Sequence, residues 1–462
     1  MDFDINKIDS IYFIGAGGIG MSALVRYFLA KGKRVAGYDR TASSLTQALN
    51  QEGAQIHYED DIELIPEYCK DSKTTLVVYT PAIPGDHKEL NFFKDNGFTI
   101  MKRAQVLGEI TKTSKGLCVA GTHGKTTTSS MLAHILKQSS VDCNAFLGGI
   151  LKNYSSNLLL SDKSDYTVIE ADEFDRSFHH LHPYIAIITS ADPDHLDIYG
   201  TPEAYRESFE HFTSLISNDG ALLLKKGVNI TPRLKEGTAL YTYSATEDAD
   251  FHASNIRVGN GTIIYDFNGP NIAIKDIELG VPVRINIENS IAAIAVALLC
   301  GANANEIREA VRTFKGPKRR FDFRLKREDI VLIDDYAHHP QELKASIESV
   351  KALYPNKKVT GIFQPHLFSR TKDFANDFAK SLSLLDELIL LDIYPAREKP
   401  IPGVTSEIIF DKVSIANKRL VSKNDLLETI KAEKNNLEVV AMLGAGDIEL
   451  LVEPVGLILE NR

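Results

Sequence analysis

The chain has 462 residues, enough for about three domains and several buried cores. Its hydrophobic share of 44% is that of a globular protein, and its formal net charge of -10 excludes a general nucleic-acid binder, which carries a basic surface, but not a phosphorylated small ligand held by local loops. Cys69, Cys118, Cys143 and Cys300 are scattered with no CxxC pair, the start Met1-Asp2-Phe3-Asp4-Ile5 is acidic where a signal peptide is basic, and the longest apolar stretch, Ile291–Cys300, is about half a membrane span, so a reducing, cytoplasmic setting without a membrane segment is expected.

Short β-branched runs alternate with helical patterns from the beginning. Ile11–Ile14, Arg34–Tyr38 and Leu76–Tyr79 read as strands of a first unit. The first runs into Gly15-Ala16-Gly17-Gly18-Ile19-Gly20, whose Gly15, Gly17 and Gly20 fit GxGxxG, and Asp39 ends the second strand about twenty residues later. Such a turn offers a helix N-terminus to a diphosphate without saying whether the ligand is NAD or a nucleotide sugar, and an ordinary tight turn has the same pattern. A boundary is placed near Arg103–Gly108.

Leu117–Ala120, Thr167–Ile169 and Ile185–Thr189 read as strands of a second unit. Between the first of them and a helix over Thr126–Lys137 stands Ala120-Gly121-Thr122-His123-Gly124-Lys125-Thr126-Thr127, a phosphate-binding loop. Val119 occupies the place of the first glycine of GxxxxGK[ST]. Lys125 is expected on the β- and γ-phosphates and the Thr126 hydroxyl on Mg²⁺. Two acidic loops follow strand ends: Glu170-Ala171-Asp172-Glu173-Phe174-Asp175, and Ser190-Ala191-Asp192-Pro193-Asp194-His195-Leu196-Asp197. Mg²⁺ wants oxygen ligands from one or two carboxylates, which favours Glu170, the first acid after its strand; His195 is the second ligand candidate, although a histidine on magnesium is chemically unusual; Asp172, Asp175 and Asp197 are read as solvated loop residues or helix caps. His179, His180 and His182 fit no zinc spacing. From about Ala221 to Gly280, alternating runs such as Thr262–Tyr265 and the punctuation Gly259-Asn260-Gly261 predict inserted antiparallel strands. A helix over Asn305–Thr313 ends at the break Lys315-Gly316-Pro317-Lys318.

Ile330–Ile333, Val359–Phe363, Leu388–Leu391 and Val439–Leu443 read as strands of a third unit. Three polar, aromatic and basic loops follow strand ends: Asp334-Asp335-Tyr336-Ala337-His338-His339-Pro340, Gln364-Pro365-His366-Leu367-Phe368-Ser369-Arg370, and Ile393-Tyr394-Pro395-Ala396-Arg397-Glu398. Together they predict a binding edge, with Arg370 and His366 able to hold a carboxylate. The fold class is α/β in three domains: a Rossmann-like N-terminal domain over 1–106, a central P-loop ATPase domain over 107–316 with a parallel sheet plus small antiparallel strands, and a Rossmann-like C-terminal domain over 317–462.

Gly121–Thr127, Glu170–Glu173, Asp194–Asp197, Arg319-Arg320-Phe321-Asp322, Asp334–Pro340 and Phe363–His366 resemble the Mur ligases over nearly the whole chain. That family joins an amino acid to a carboxylate on a UDP-sugar in cytoplasmic peptidoglycan synthesis, and its loop begins GTxGKT, so Val119 is the family form. The resemblance implies that the first domain binds the UDP of UDP-N-acetylmuramate rather than NAD, through Gly15, Ala16, Gly17, Gly18, Ile19, Gly20, Asp39, Thr80 and Arg103. It implies ATP on Gly121, Thr122, His123, Gly124, Lys125, Thr126 and Thr127, with base contacts at Asn286 and Asn289, a ribose contact at Asp335 and a phosphate-side Arg320. It implies Mg²⁺, or Mn²⁺ in its place, on Thr126, Glu170 and His195, with Lys125, Glu170 and His195 catalytic, and L-alanine in a pocket of Tyr336, His366 and Arg370. A monomer or homodimer is expected.

Several positions depart from the pattern. Arg284-Ile285-Asn286 stands where Gly-Arg-His-Asn is common, Gln105 where Glu follows an Arg-Ala pair, and Leu443-Gly444-Ala445-Gly446-Asp447 where Gln and Asn flank the glycines. Other branches use a carboxylated lysine near the position of Phe209, and its absence agrees with the alanine-adding branch. A murein-peptide recycling ligase shares the phosphate loop and the DDxAHHP loop. An NAD-dependent oxidoreductase rests on Gly15–Gly20 and Asp39 alone and leaves Lys125 unexplained. A silent nucleotide-binding module leaves Lys125, Thr126 and Glu170 without purpose.

Overall fold

The computed structural model describes residues 5–80, 83–259, 261–396 and 398–462. The acidic start at 1–4, Asn260 and Arg397 lie outside the described residues, as do the side chains of Asn6 and Asp197. The chain divides into two compact units, one of residues 1–254, 267–274 and 288–311, the other of 255–266, 275–287 and 312–462.

The first unit contains a five-stranded parallel sheet in the order Gln55–His57, Arg34–Tyr38, Ser10–Ile14, Thr75–Tyr79, Thr99–Lys102. This is the strand order of a dinucleotide-binding half, with its crevice where the chain direction of winding reverses, beside Ser10–Ile14. Every residue of Ser10–Ile14 is buried, because helices cover both faces. Ile11 and Phe13 pack with Met21, Leu24 and Phe28 on one side; Tyr12 and Ile14 pack with Val77, Leu90 and Phe93 on the other. The helix Ile19–Ala30 follows the glycine turn directly. Arg26 on it donates to Asn157 Oδ1 at 2.6 Å, and Asn157 donates back to Ile19 O at 2.6 Å, fixing this helix to the hairpin of the next sheet.

A ten-stranded sheet runs Ile272–Glu278, Thr262–Gly269, Phe251–Gly259, Ala239–Ser244, Ala221–Lys225, Pro183–Ile188, Lys115–Ala120, Tyr166–Glu170, Asn144–Leu151, Ser156–Leu159. The phosphate-loop strand Lys115–Ala120 sits between the two strands that end in the acidic loops, parallel to both. Two corrections to the sequence reading concern strand direction. Ala221–Lys225 and Ala239–Ser244 extend the parallel ladder, and Phe251–His252 pairs parallel to Tyr243–Ser244, so this part of the 221–280 stretch is not an antiparallel insert. Asn144–Leu151 and Ser156–Leu159 form an antiparallel hairpin for which the sequence carried no alternation signal.

The second unit contains a six-stranded sheet in the order Asp322–Lys326, Val331–Asp335, Val439–Leu443, Val359–Phe363, Glu387–Leu390, Lys418–Leu420. Five strands are parallel, and Asp322–Lys326 closes one edge antiparallel. Its core includes Ile330, Leu332, Ile362, Ile389, Val440 and Met442, the residues whose continuous apolar runs announced the strands. Among the described residues no helix is long and apolar enough to cross a membrane. All four cysteines are free; Cys69, Cys118 and Cys143 are buried.

Candidate active site

The phosphate loop turns between Lys115–Ala120 and the helix Lys125–Gln138. Gly121 and Gly124 take φ of +143° and +83°, the left-handed region that glycine enters without a Cβ penalty. A Cβ on Gly121 would stand 2.0 Å from Thr189 Oγ1. The loop is tied to the second acidic loop: Thr122 Oγ1 donates to Asp192 O at 2.7 Å, and the His123 amide donates to Ser190 Oγ at 2.9 Å. Lys125 opens the helix. Its Nζ donates to Gly121 O at 2.6 Å and pairs with Glu173 at 2.7 Å. Glu173 is 2% exposed; burial pushes its carboxyl above the usual range, and the Lys125 ammonium pulls the other way. Thr126 Oγ1 donates to Glu170 Oε1 at 3.0 Å, and the Gly148 amide donates to the other oxygen at 3.2 Å. A Cβ on Gly148 would stand 2.2 Å from Glu170, so the hairpin glycine leaves room for this carboxylate.

His195 begins the short helix Leu196–Tyr199 with φ +52°. Its amide donates to Asp194 Oδ1 at 2.7 Å, and its ring meets Phe174 edge-on at 5.1 Å. Asn286 and Asn289 are buried on the helix Ile285–Leu299. Asn289 Oδ1 accepts from Thr128 Oγ1 at 3.2 Å and lies 3.0 Å from where a Cβ on Gly124 would stand, against the loop's last glycine.

The glycine turn of the first sheet is equally close-fitting. A Cβ on Gly15 would meet Thr80 Cγ2 at 2.6 Å, and the Gly17 amide donates to Asp39 Oδ2 at 2.6 Å. Asp39 also accepts from the Thr41 amide at 3.1 Å. The Arg103 guanidinium lies over Gly20, with Nη1 1.9 Å from where a Cβ would be. A cleft of about 130 Å³ joins Gly20, Arg103 and Leu107 to Gly148, Glu170 and Asp172. It therefore connects the turn of the first sheet with the carboxylate that faces Thr126. Asp172 accepts from the Phe174 amide at 3.1 Å, at the start of the following helix, and also pairs with Arg103 at 2.9 Å; Asp175 pairs with Lys102 at 2.6 Å, so both acids carry ion pairs the sequence did not announce. The expected boundary at 106/107 falls within the helix Arg103–Lys112 that carries this arginine.

In the second unit the three strand-end loops are joined by a chain of ring contacts. Tyr336 lies under the guanidinium groups of both Arg319 and Arg320, at 5.2 and 5.4 Å. His338 stands edge-on to Tyr336 at 5.2 Å and to His366 at 6.0 Å; His366 stacks on Tyr394 at 5.7 Å. Arg370 Nη1 is 3.5 Å from His366 Nδ1. Burial, with Arg370 and His338 nearby, pushes the His366 imidazole down to about 4, leaving it neutral at pH 7. Burial pushes the Asp334 carboxyl up to about 6 and the Asp335 carboxyl upward as well, against Arg319 and Arg320 respectively. Gln364 anchors its own loop to the Gly444–Asp447 loop: its Nε2 donates to Asp447 Oδ1 at 2.8 Å, and its Oε1 accepts from the Ile448 amide at 2.9 Å.

The structure thus gathers Lys125, Thr126, Glu170 and Asn289 at one loop, Gly15–Gly20, Asp39, Thr80 and Arg103 at another, and Tyr336, His366, Arg370, Arg320 and Asp335 at a third. Glu173 was missed as the partner of Lys125. Its place in the acidic loop after the strand Tyr166–Glu170 marked it as a candidate, but nothing in the sequence singled it out from its neighbours. The histidine trio forms no metal cluster: His179 hydrogen-bonds the Ser208 carbonyl at 3.0 Å and stacks on Phe178. Phe209 is fully buried against Phe178.

The Mur ligase family catalytic-domain model matches residues 10–115, the Mur ligase middle-domain model residues 119–297, and the Mur ligase glutamate-ligase-domain model residues 319–451. The chain belongs to the Mur ligase family. This Mur ligase is 69% identical to the UDP-N-acetylmuramate–L-alanine ligase of Parabacteroides distasonis over 98% of its own length and 97% of that protein. It is 51% identical to the enzyme of the same name from Flavobacterium psychrophilum, over 97% and 98%. The crystal structure of a UDP-N-acetylmuramate-alanine ligase from Thermotoga maritima superposes with a TM-score of 0.81 at 26% identity, covering 98% of both chains. A murein peptide ligase from Psychrobacter arcticus shares the fold at a TM-score of 0.66 and 23% identity, over 98% and 99%.

Proposed function

We propose that this Mur ligase joins L-alanine to the lactyl carboxylate of UDP-N-acetylmuramate, converting ATP to ADP and phosphate, in cytoplasmic peptidoglycan synthesis. The observation that carries the reading is the shared cleft. A sugar nucleotide whose diphosphate sits on the Gly15–Gly20 turn extends past Arg103 toward Glu170, where the phosphate loop would present the γ-phosphate. The names of the relatives supply the acceptor and the amino acid.

A carboxylate is a poor acyl donor, so it first takes the γ-phosphoryl group; the acyl phosphate then accepts the amine through a tetrahedral intermediate and releases phosphate. Carboxylate and γ-phosphate repel each other. Lys125 shifts from Glu173 to the β- and γ-phosphates and offsets that charge, and the loop amides from Gly121 to Thr126 orient the phosphates. The oxygen donors Thr126 Oγ1 and Glu170 Oε1, 3.0 Å apart, fit Mg²⁺ or Mn²⁺, with His195 as a third ligand; the ion, when bound, neutralises phosphate charge. Asn286 and Asn289 contact the base, Asp335 the ribose and Arg320 the phosphate side. Asp39 and Thr80 position the UDP. Arg370 takes the alanine carboxylate as a fork beside the neutral His366, and Tyr336 walls the pocket. The work is divided among domains 1–106, 107–316 and 317–462, in a monomer or homodimer.

Phosphate release from ATP, measured with UDP-N-acetylmuramate and a panel of L-alanine, glycine, L-serine and a murein tripeptide, tests the reading. Turnover that requires the sugar nucleotide and is fastest in kcat/KM with L-alanine is expected. Turnover only with the tripeptide overturns it.

A further inference from the structure

On the face of the first sheet that carries Tyr12, outside the residues that line the cleft, stands a group of polar side chains with no part in the chemistry above, His87 and Glu89 buried and Asp60 half-buried. Asp60, His87 and Glu89 each place a ligand atom within 4.8 Å of the others. Part of the group is explained by helix capping. Asp60 accepts from the amides of Lys88 and Glu89 at 2.9 and 3.1 Å, and His87 Nδ1 accepts from the Leu90 amide at 3.3 Å, at the start of the helix Lys88–Asp95.

Capping leaves two groups unanswered. His87 is 5% exposed, and its Nε2 is buried with no hydrogen-bond partner. If Nδ1 accepts from Leu90, the ring proton sits on Nε2 with no acceptor. If Nδ1 instead donates to Asp60 Oδ1, 3.1 Å away, Nε2 has a bare lone pair with no donor. Either tautomer leaves a buried polar atom unmet. Glu89 is fully buried, and its partners are the Tyr12 hydroxyl at 2.7 Å, the Asp61 amide at 3.2 Å and His57 Nε2 at 3.4 Å. Neither lysine nor arginine is among them. Among the described residues His57 is the one basic side chain against this carboxylate.

We propose that Asp60, His87 and Glu89 form a binding site for a divalent transition metal of the zinc class. An imidazole with two carboxylates is a donor set for zinc or cobalt rather than for magnesium, which takes oxygen ligands. His57 stands behind Glu89 with its ring oriented by Nδ1, 2.9 Å from Glu59 O, the arrangement of an outer-shell partner. The metal braces the loop 57–61 against the helix Lys88–Asp95 and is structural. This site is independent of the ligase reading.

The test uses the full-length protein, metal-stripped and then exposed to Co²⁺ in excess Mg²⁺, so that Mg²⁺ fills the nucleotide site. Stoichiometric Co²⁺ retention with visible d–d absorption is expected. His87→Ala and Asp60→Asn should each weaken it by on the order of tenfold or more, since even outer-shell changes cost that much. Asp60→Asn keeps a capping oxygen, so it separates metal loss from helix loss. Glu170→Gln should leave the Co²⁺ signal unchanged. Absence of retention by the unaltered protein, retention that survives both His87→Ala and Asp60→Asn, or retention lost only in Glu170→Gln overturns the proposal.

Discussion

Lys125 and Glu173 are bound together in a way that complicates the obvious mutation. Among the described residues the Lys125 ammonium is the cation paired, at 2.7 Å, with a carboxylate that is almost wholly buried. Removing the lysine alone leaves a buried charge uncompensated, which costs about 3–5 kcal/mol in comparable sites. Lys125→Ala should therefore lose both stability, read by urea denaturation, and ligation, read by phosphate release. Adding Glu173→Gln should recover most of the stability and none of the activity. UDP-N-acetylmuramate binding, measured by calorimetry, should survive in both variants, because the glycine turn and Arg103 are untouched. If the double variant regained turnover, Lys125 would have only a structural role.

The helix Lys125–Gln138 carries the phosphate loop on one end and a buried histidine in its middle. His134 is 2% exposed, its Nδ1 lies 3.0 Å from the Tyr154 hydroxyl, and burial pushes it down to about 4 from 6.5. A lowered folded pKa means that between about 4 and 6.5 the unfolded chain binds a proton that the folded chain refuses. Stability therefore falls as pH drops through that window, by about 3 kcal/mol in full, and no further below it. His134→Leu keeps an apolar side chain there, and Tyr154 retains its bond from Gln138 at 2.8 Å. Its stability, followed by urea titration from pH 7 to 4, should decline less steeply than that of the unaltered chain; an unchanged slope would remove His134 from the account. This helix was legible in the sequence, as were the strands Ser10–Ile14, Lys115–Ala120 and Val359–Phe363, because strands buried on both faces are written as unbroken apolar runs. The hairpin Asn144–Leu151 was not, since Gly148 and Gly149 interrupt its pattern and its value lies in leaving space for Glu170. The stretch from about Ala221 to Gly280 was read as antiparallel strands, but Ala221–Lys225 runs parallel to its neighbours: a parallel neighbour is a property of the crossover and not of the strand's own residues. In the same way Thr126 and Glu170 were named from strand ends, whereas Glu173, Asp172 and Asp175 acquired partners only through the fold.

At the scale of the whole molecule, the groups proposed for phosphate and sugar-nucleotide binding and those proposed for the amino acid fall in different compact units, while the proposed ATP contacts Asn286, Arg320 and Asp335 belong to the second. The phosphate loop, Glu170, Asn289, the glycine turn and Arg103 all lie in the unit of residues 1–254, 267–274 and 288–311, and Tyr336, His366 and Arg370 all lie in the other. In the proposed mechanism, making the acyl phosphate draws on the first set with Asn286, Arg320 and Asp335, and capturing the amine draws on Tyr336, His366 and Arg370. With UDP-N-acetylmuramate present and alanine omitted, ATP labelled with ¹⁸O at the β,γ-bridge should therefore scramble its label, because γ-phosphoryl transfer to the carboxylate is reversible and the freed β-phosphate rotates before the return. Arg370→Ala should keep that scrambling while raising the KM for L-alanine by about tenfold to a hundredfold, the loss expected from one charge-assisted contact of about 1.5–3 kcal/mol. Lys125→Ala should abolish scrambling and ligation together. Scrambling that required alanine would mean that the carboxylate is not activated before the amine arrives, and the division of labour between the two sets of residues would fail with it.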